Sequence, residues 1–400
     1  MNGKRFNKAL CVLNFSGRYG GAEKRYATLF NRLMKQELDY YLIMNSCLYA
    51  VLTESSVLLP NERIILFRDG VGALSHANRA QDLRREGRKK SKVRVFLGRW
   101  KYFMKTLFLW LRFSFFFVGV ITDKKIKLLY GVWQGGIWTW MWCRLLRVKL
   151  IYSVNGSGFL NTESRLTKFF DSQYYVLQYA NMLDFLSPSL KEDYLGRMEK
   201  KLKAKCVVTP NSFIDYTNYF PVFPKKTWVV FLGRLEPIKN PMVFMEAVQW
   251  IEQTKPDLEA SFYVMGTGSM LDVMQQFASR HNLKNVIFTG LHPHPWEILR
   301  ESSVFVSLQR DENYPSQSLI EAMACENAVV VTDVGDTRRL VSEKEGILID
   351  AKPVIVAQQI LNLLSDSSLR KKLGENAREK VLNSHSLDRF QMWFDDLMNG

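Results

Sequence analysis

The sequence predicts an α/β fold with two parallel sheets. Three observations carry this. Short apolar runs of four or five residues recur along the 400-residue chain, separated by helix-length stretches. The series halts at residues 210–227, PNSFIDYTNYFPVFPKKT, which hold three prolines and no helical period. It then restarts. A chain this long exceeds one ordinary core, so the break divides two domains.

In the first half, Leu10–Asn14 reads as the opening strand, Ser16–Gly21 as a glycine-bearing turn and Ala22–Gln36 as a helix. Further strands are expected at Tyr40–Met44, Arg63–Phe67, Ile126–Tyr130, Leu150–Val154, Met182–Leu186 and Lys205–Thr209. After the break they are expected at Trp228–Leu232, Ser261–Met265, Val286–Thr289, Val304–Ser307 and Ala328–Thr332. No 20–50-residue repeat and no low-complexity tract interrupts either series. The basic N-terminus leads into a short, alternating apolar run, read as a strand and not as a signal peptide. Five widely spaced cysteines (Cys11, Cys47, Cys143, Cys206, Cys325) form no CxxC pair, which suits reduced thiols in a cytoplasmic protein.

Charge separates the halves. Lys and Arg number 55 against 39 Asp and Glu, a net of +16. Residues 1–200 carry 33 basic and 15 acidic side chains, net +18, and residues 201–400 carry 22 and 24, net −2. Most of the excess lies in residues 84–127, with fourteen basic and two acidic side chains among many aromatics. Its middle, Leu107–Ile121, reads LFLWLRFSFFFVGVI, shorter than a spanning helix needs and interrupted by Arg112. In a helix, Arg94, Lys101, Lys105 and Arg112 would fall within about 40° of one another. The other faces carry Phe96, Trp100, Phe103, Leu107, Trp110 and Leu111. A basic stripe on an aromatic helix predicts an interfacial helix on anionic lipid, in preference to a buried crossover helix with a solvated edge.

Four segments could carry chemistry. The turn containing Gly20 and Gly21 lies between the first strand and helix, where backbone amides can approach an anion, or where a turn alone is needed. The strand Trp228–Leu232 runs into Gly233-Arg234-Leu235-Glu236-Pro237-Ile238-Lys239-Asn240-Pro241. Ligands of open α/β sheets bind at such strand ends, and Arg234 and Lys239 can converge there on one anion. Gly266-Thr267-Gly268 follows another strand and is either a tight turn or a backbone approach to a base or ribose. Pro315-Ser316 opens a helix whose first amides, at Ser316, Gln317 and Ser318, form an anion site aided by the helix dipole. Glu321 within that apolar helix can accept hydrogen bonds from a ribose diol.

These segments, in this order, resemble the GT-B-fold retaining glycosyltransferases of family 4. The resemblance includes Gly-Gly-Ala-Glu at 20–23, Thr-Pro-Asn-Ser-Phe-Ile-Asp at 209–215, Gly233-Arg234 with Lys239, and Gly266-x-Gly268. It extends to Pro-Ser…Glu-Ala-Met-Ala at 315–324 and Val-Val-Thr-Asp-Val-Gly at 330–335. It implies two Rossmann-like domains whose parallel sheets face across a cleft. Residues 1–215 would be the acceptor-binding domain with a basic insertion, and residues 216–384 the donor-binding domain. Residues 385–400 would be a helix crossing back to the first. By the resemblance, Arg234 and Lys239 stabilise the departing nucleoside diphosphate, Glu321 binds its ribose, and Gly21 approaches the donor from the other domain.

The donor would be a UDP- or GDP-linked sugar, carrying a hexose or N-acetylhexosamine. The acceptor would be a lipid, a lipid-linked saccharide or another saccharide at the inner face of the cell membrane. No metal or other cofactor is expected, and no Asp-x-Asp pair is present. His292 and His294 read as a loop pair, not as ligands. The sequence departs from the family at four places. Asn313 stands where a Glu is frequent, eight residues before Glu321. Asn155 stands where a His is usual, which removes a base and leaves a sugar or backbone contact. Glu326 and Ala328 replace a usual Gly and Pro, which affects loop shape. Front-face return, with the leaving phosphate oxygen taking the acceptor proton, is the expected retaining route. Nucleic acid is not the expected partner of residues 84–127, although basic charge with aromatics also suits it. An epimerase or hydrolase acting on the nucleotide sugar would fit the same residues, as would a non-catalytic relative that binds nucleotide without turnover.

Overall fold

The computed structural model describes residues 7–16, 19–70, 92–156, 172–197, 205–210, 212–311 and 314–400. The chain divides into two compact units, residues Met1–Thr209 with Asp396–Gly400, and residues Pro210–Asp395. Each is built around one parallel sheet.

Among its described residues the first unit has seven strands: β1 (Asn7–Leu13), β2 (Tyr40–Asn45), β3 (Ile64–Phe67), β4 (Ile126–Trp133), β5 (Lys149–Val154), β6 (Met182–Phe185) and β7 (Lys205–Val208). Their order is β3-β2-β1-β4-β5-β6-β7, all parallel, with Leu10 opposite both Leu42 and Tyr130. The strands read as unbroken apolar runs because both faces are covered. The chain reverses direction across the sheet between β1 and β4, where open α/β sheets present a crevice at their carboxyl edge.

The crossover from β3 to β4 is the 32-residue helix Lys92–Asp123. Leu109, Phe113, Phe117 and Ile121 recur every fourth residue and are buried in the sheet's core. Phe113 meets Phe67 edge-on, with centroids 5.3 Å apart. A second apolar face points outward, with Trp100 57%, Phe108 64% and Phe115 81% exposed. Phe103, Met104 and Leu111 share it. Exposed Lys101, Lys105 and Arg112 run along one border of that face. The helix is longer than the apolar run in the sequence suggests. Phe103–Asp123, 21 residues with mean hydropathy 1.6, is long and apolar enough to cross a membrane by length and composition, and about a quarter of it is buried. The expectation that this stretch is too short to span is corrected, because the helix continues past the apolar run at both ends.

Among its described residues the second unit has six parallel strands: β8 (Lys226–Leu232), β9 (Ser261–Met265), β10 (Val286–Gly290), β11 (Ser302–Ser307), β12 (Ala328–Thr332) and β13 (Gly346–Ile349). Their order is β10-β9-β8-β11-β12-β13, so its reversal point lies between β8 and β11. Helices Pro241–Thr254 and Pro353–Ser365 pack together over one core. Helices Gln317–Ala324 and Ser367–Ser384 enclose another. The proline-rich break is not wholly irregular. It holds a 3-10 turn at Tyr216–Asn218, and β8 begins inside it at Lys226. β13 was not predicted from sequence.

Candidate active site

In the second unit the predicted donor residues gather at the carboxyl edge of the sheet. Gly233 follows β8 and donates its amide to Met265 O at 3.0 Å, which joins the loops after β8 and β9. Leu235 N donates to Thr267 O at 3.0 Å, and Met270 N to Leu235 O at 2.9 Å. The two glycines of the second loop are explained by this contact. A Cβ on Gly266, whose φ is +132°, would lie 2.0 Å from Gly233 O, and one on Gly268 would lie 2.4 Å from Leu235 O. Glu236 braces the same junction, accepting from Ser269 N at 3.1 Å and from Ser269 Oγ.

Arg234 is exposed and Lys239 half-buried in the loop after β8. Burial, and then the neighbouring Arg234, push the Lys239 ammonium down to about 8. Two cations held together in this way are relieved by an anion. The loop is pinned across the reversal point. Arg310 Nε donates to Asn240 Oδ1 at 2.6 Å, and Arg310 N donates to Ile238 O at 2.9 Å. Asn240 is in the left-handed region at φ 50°, a conformation asparagine tolerates better than most residues.

Beyond β11, Ser307, Gln309, Tyr314, Ser316 and Thr332 line a small cavity beside the N-terminus of helix Gln317–Ala324. Ser316 is its extended N-cap residue and is nearly buried. Gln317 Nε2 donates to Ser212 Oγ, and Ser318 Oγ lies 3.4 Å from Ser316 Oγ. Cations hold the helix's other end. Lys225 Nζ donates to Arg300 O at 2.8 Å and Cys325 O at 2.5 Å, and Arg378 Nη1 donates to Ala324 O. They complement the negative end of the helix dipole and leave its positive end facing the cavity. Burial pushes Lys225 down to about 8. Glu321 is 5% exposed and lies close to the Tyr219 phenol. Burial, and then Glu321, push that phenol upward. Asn313 lies outside the described residues, as do residues 84–91 of the basic segment.

In the first unit the glycine turn is held by Glu23. Its carboxylate accepts from Gly20 N at 2.9 Å and from Asn14 Nδ2 at 2.7 Å. This is the carboxylate half of a capping box, with Gly21 opening helix Gly21–Lys35 and both glycines exposed. Asn45, at the end of β2, accepts from Asn14 N at 3.0 Å and donates to Asp69 at 2.8 Å. Asn155, just past β5, accepts from Arg25 Nη2 at 3.0 Å and donates to Ser153 Oγ at 3.0 Å. Asp184 is fully buried, and burial pushes its carboxyl up to about 6 against the lowering effect of hydrogen bonds from Tyr130 and Thr209.

Sequence reasoning missed Arg310, Asn240, Tyr219, Arg25 and Asp184. Only the Glu23 cap had a readable signal, its position three residues after Gly20. Among the described residues, no group of three or more His, Cys, Asp or Glu side chains is placed to hold a metal ion. All five cysteines are free thiols, and burial pushes Cys143 and Cys325 up to about 12.

Residues 218–380 match the family described as glycosyl transferases group 1. The chain is 25% identical over 224 residues to the poly(ribitol-phosphate) alpha-N-acetylglucosaminyltransferase of Staphylococcus aureus, covering 54% of this chain and 44% of that protein. It is 26% identical over 159 residues to the UDP-Gal:alpha-D-GlcNAc-diphosphoundecaprenol alpha-1,3-galactosyltransferase of Escherichia coli, covering 39% of this chain and 41% of that protein. The chain thus spans less than half the length of these two curated relatives. Its fold matches that of Anabaena HepE, solved in complex with UDP and glucose, with a TM-score of 0.73 and 14% identity, over 99% of this chain and 100% of that one. Residues 218–380 are thus similar to the glycosyl transferases group 1 family, and the fold is a GT-B scaffold of two Rossmann-like units.

Proposed function

We propose that the chain is a retaining, metal-independent glycosyltransferase. It moves a hexose or N-acetylhexosamine from a UDP- or GDP-linked donor to a lipid or lipid-linked saccharide. The observation that carries this reading is the Arg234–Lys239 pair. Its lysine is depressed by burial and by a neighbouring cation, at the reversal point of the sheet, in a unit that matches a glycosyl transferase family. Such a pair stabilises charge that develops on a leaving diphosphate. The helix N-terminus at Ser316–Ser318 adds amide donors, and Glu321 with Tyr219 takes the ribose.

In the reaction, the anomeric carbon–phosphate oxygen bond breaks and a bond to the acceptor oxygen forms on the same face. The acceptor proton passes to the departing phosphate oxygen. Arg234 and Lys239 hold the diphosphate through this exchange, so no divalent ion is required and turnover persists in excess EDTA. The second unit takes the donor and the first takes the acceptor.

The helix Lys92–Asp123 supports a place at the inner, cytoplasmic face of an anionic membrane. Its buried face belongs to the sheet's core, so the outward aromatic face and bordering cations lie along the bilayer surface. The galactosyltransferase relative, whose acceptor is a diphosphoundecaprenol-linked sugar by name, agrees with a lipid-linked acceptor.

The test is a thermal-shift screen against UDP, GDP, ADP and dTDP and their sugars. UDP or GDP should stabilise the protein, and Arg234→Ala with Lys239→Ala should remove both the shift and turnover while leaving the fold. Near-normal turnover in that double variant would overturn the assignment.

A further inference from the structure

Six side chains of the first unit, from Asp184 to Arg25, form one hydrogen-bonded line along the carboxyl edge of its sheet. Asp184 accepts from Tyr130 Oη and, at 2.9 Å, from Thr209 Oγ1. Tyr130 Oη lies 2.7 Å from Tyr26 Oη, which lies 3.0 Å from Ser153 Oγ. Asn155 Nδ2 donates to Ser153 Oγ at 3.0 Å and to Ser153 O at 3.3 Å, and Asn155 Oδ1 accepts from Arg25 Nη2 at 3.0 Å.

Charge and proton count give the line a direction. A guanidinium has donors only, so the Asn155 oxygen must face Arg25. A carboxylate only accepts, and each hydroxyl has one proton. Tyr130 gives its proton to Asp184, so Tyr26 donates to Tyr130 and Ser153 donates to Tyr26. The Ser153 oxygen then accepts from the Asn155 amide, which is the orientation Arg25 already imposes. Both ends demand one ordering, and Tyr26, Ser153 and Asp184 are at most 2% exposed, so water does not replace a broken link.

Asn155 itself is half-buried. Its three bonds engage both amide hydrogens and one oxygen lone pair. The remaining capacity is an acceptor lone pair, which suits a hydroxyl and repels a phosphate oxygen. We propose that Tyr26 and Ser153 are positioning residues that fix the Asn155 amide, so that its acceptor lone pair meets the sugar hydroxyl that the family resemblance already expects at this position. The sugar contact rests on the glycosyl-transfer reading, whereas the positioning does not.

Double-mutant cycles test both parts. In unfolding experiments on the full chain, Tyr26→Phe and Asn155→Ala remove two residues joined through Ser153 Oγ, so their effects should be non-additive. The second substitution should shift Tm by less than half of what it does alone. Ser153→Ala should behave like Tyr26→Phe. In turnover of UDP-glucose, UDP-galactose, UDP-N-acetylglucosamine and GDP-mannose, Tyr26→Phe or Ser153→Ala should lower kcat about tenfold, and neither should lower it further once Asn155→Ala is present. A loss that extends to donor hydrolysis without acceptor assigns the hydroxyl to the donor sugar, and a loss confined to transfer assigns it to the acceptor. Additive stabilities in both cycles overturn the positioning, whatever the activity. Coupled stabilities in a chain that consumes none of these donors overturn the glycosyl-transfer reading and the sugar contact, and leave the positioning of Asn155 standing.

Discussion

Arg310 Nε donates to Asn240 Oδ1 at 2.6 Å and so ties the loop after β11 to the loop that carries Lys239. The bond bridges the reversal point of the second sheet, where the diphosphate is proposed to lie. Asn240 serves twice, since its side chain takes this bond and its backbone occupies φ 50°. Substitutions separate the roles. Asn240→Gly keeps the backbone and loses the bond, so UDP affinity should fall about tenfold, the scale of a hydrogen bond to a charged group. Asn240→Ala should lose the same affinity and in addition about 1 kcal/mol of stability, from forcing alanine into the left-handed region. Calorimetric titration and thermal unfolding check the two effects. Equal stabilities of the two variants would contradict the backbone role.

Lys239 should make UDP binding depend on pH. Burial and Arg234 push its ammonium down to about 8. A diphosphate favours the charged form, so binding raises that value again and takes up a proton. UDP affinity should therefore be highest below pH 8 and weaken above it by up to about tenfold per pH unit. Lys239→Arg should abolish the dependence, because a guanidinium stays charged throughout. Titrations between pH 7 and 9, in buffers of different ionisation enthalpy, measure both the slope and the proton. A wild-type affinity that stays flat over this range would exclude Lys239 as a diphosphate ligand.

The elements were legible for a simple reason. Parallel strands covered on both faces are continuous apolar runs, and runs such as Trp228–Leu232 and Val304–Ser307 stand out from their surroundings. β13 did not, because Gly-Ile-Leu-Ile is short, opens on glycine and lies at the sheet's edge. At the site, residues close to a strand end were readable from position alone, as with Arg234 and Lys239. What could not be read were partnerships made by folding. Arg310 and Asn240 are 70 residues apart, and Tyr26 and Tyr130 are 104 apart. The glycines at 266 and 268 were ambiguous for a related reason, since the backbone that excludes their side chains belongs to another loop.

Asp184 should make stability fall as pH rises. Its carboxyl has an ordinary value of 3.8 and is raised to about 6 in the folded chain, chiefly by burial. The folded state therefore holds this proton more tightly than the unfolded state. The contribution is fully present below the ordinary value and is lost as pH rises through about 6, to a total of about 3 kcal/mol. Asp184→Asn keeps an acceptor for Tyr130 and has no charge to bury. Relative to wild type, it should gain stability between pH 4 and pH 7. Denaturant unfolding across that range checks this, and an unchanged difference between the two proteins would place the ionisation elsewhere.

The outward face of helix Lys92–Asp123 should bind membranes by two separable forces. Phe108 and Phe115 are 64% and 81% exposed. Their replacement by serine leaves the buried stripe of Leu109, Phe113 and Phe117 intact, so the fold should persist. Lys101 and Lys105 lie on the basic border, and each cation near an anionic surface contributes about 1 kcal/mol. Charge reversal at both, Lys101→Glu with Lys105→Glu, should reduce binding to phosphatidylglycerol vesicles by well over tenfold and flatten its dependence on salt. Phe108→Ser with Phe115→Ser should also weaken binding, but the remainder should stay salt-sensitive, because the electrostatic part survives. Co-sedimentation over a salt series distinguishes these patterns. Oligonucleotide competition adds the decisive comparison. A nucleic-acid surface would lose affinity with the lysines and keep its salt slope when the phenylalanines are removed, whereas a lipid surface requires both. Equal vesicle binding by wild type and the phenylalanine variant would remove the membrane from the proposal.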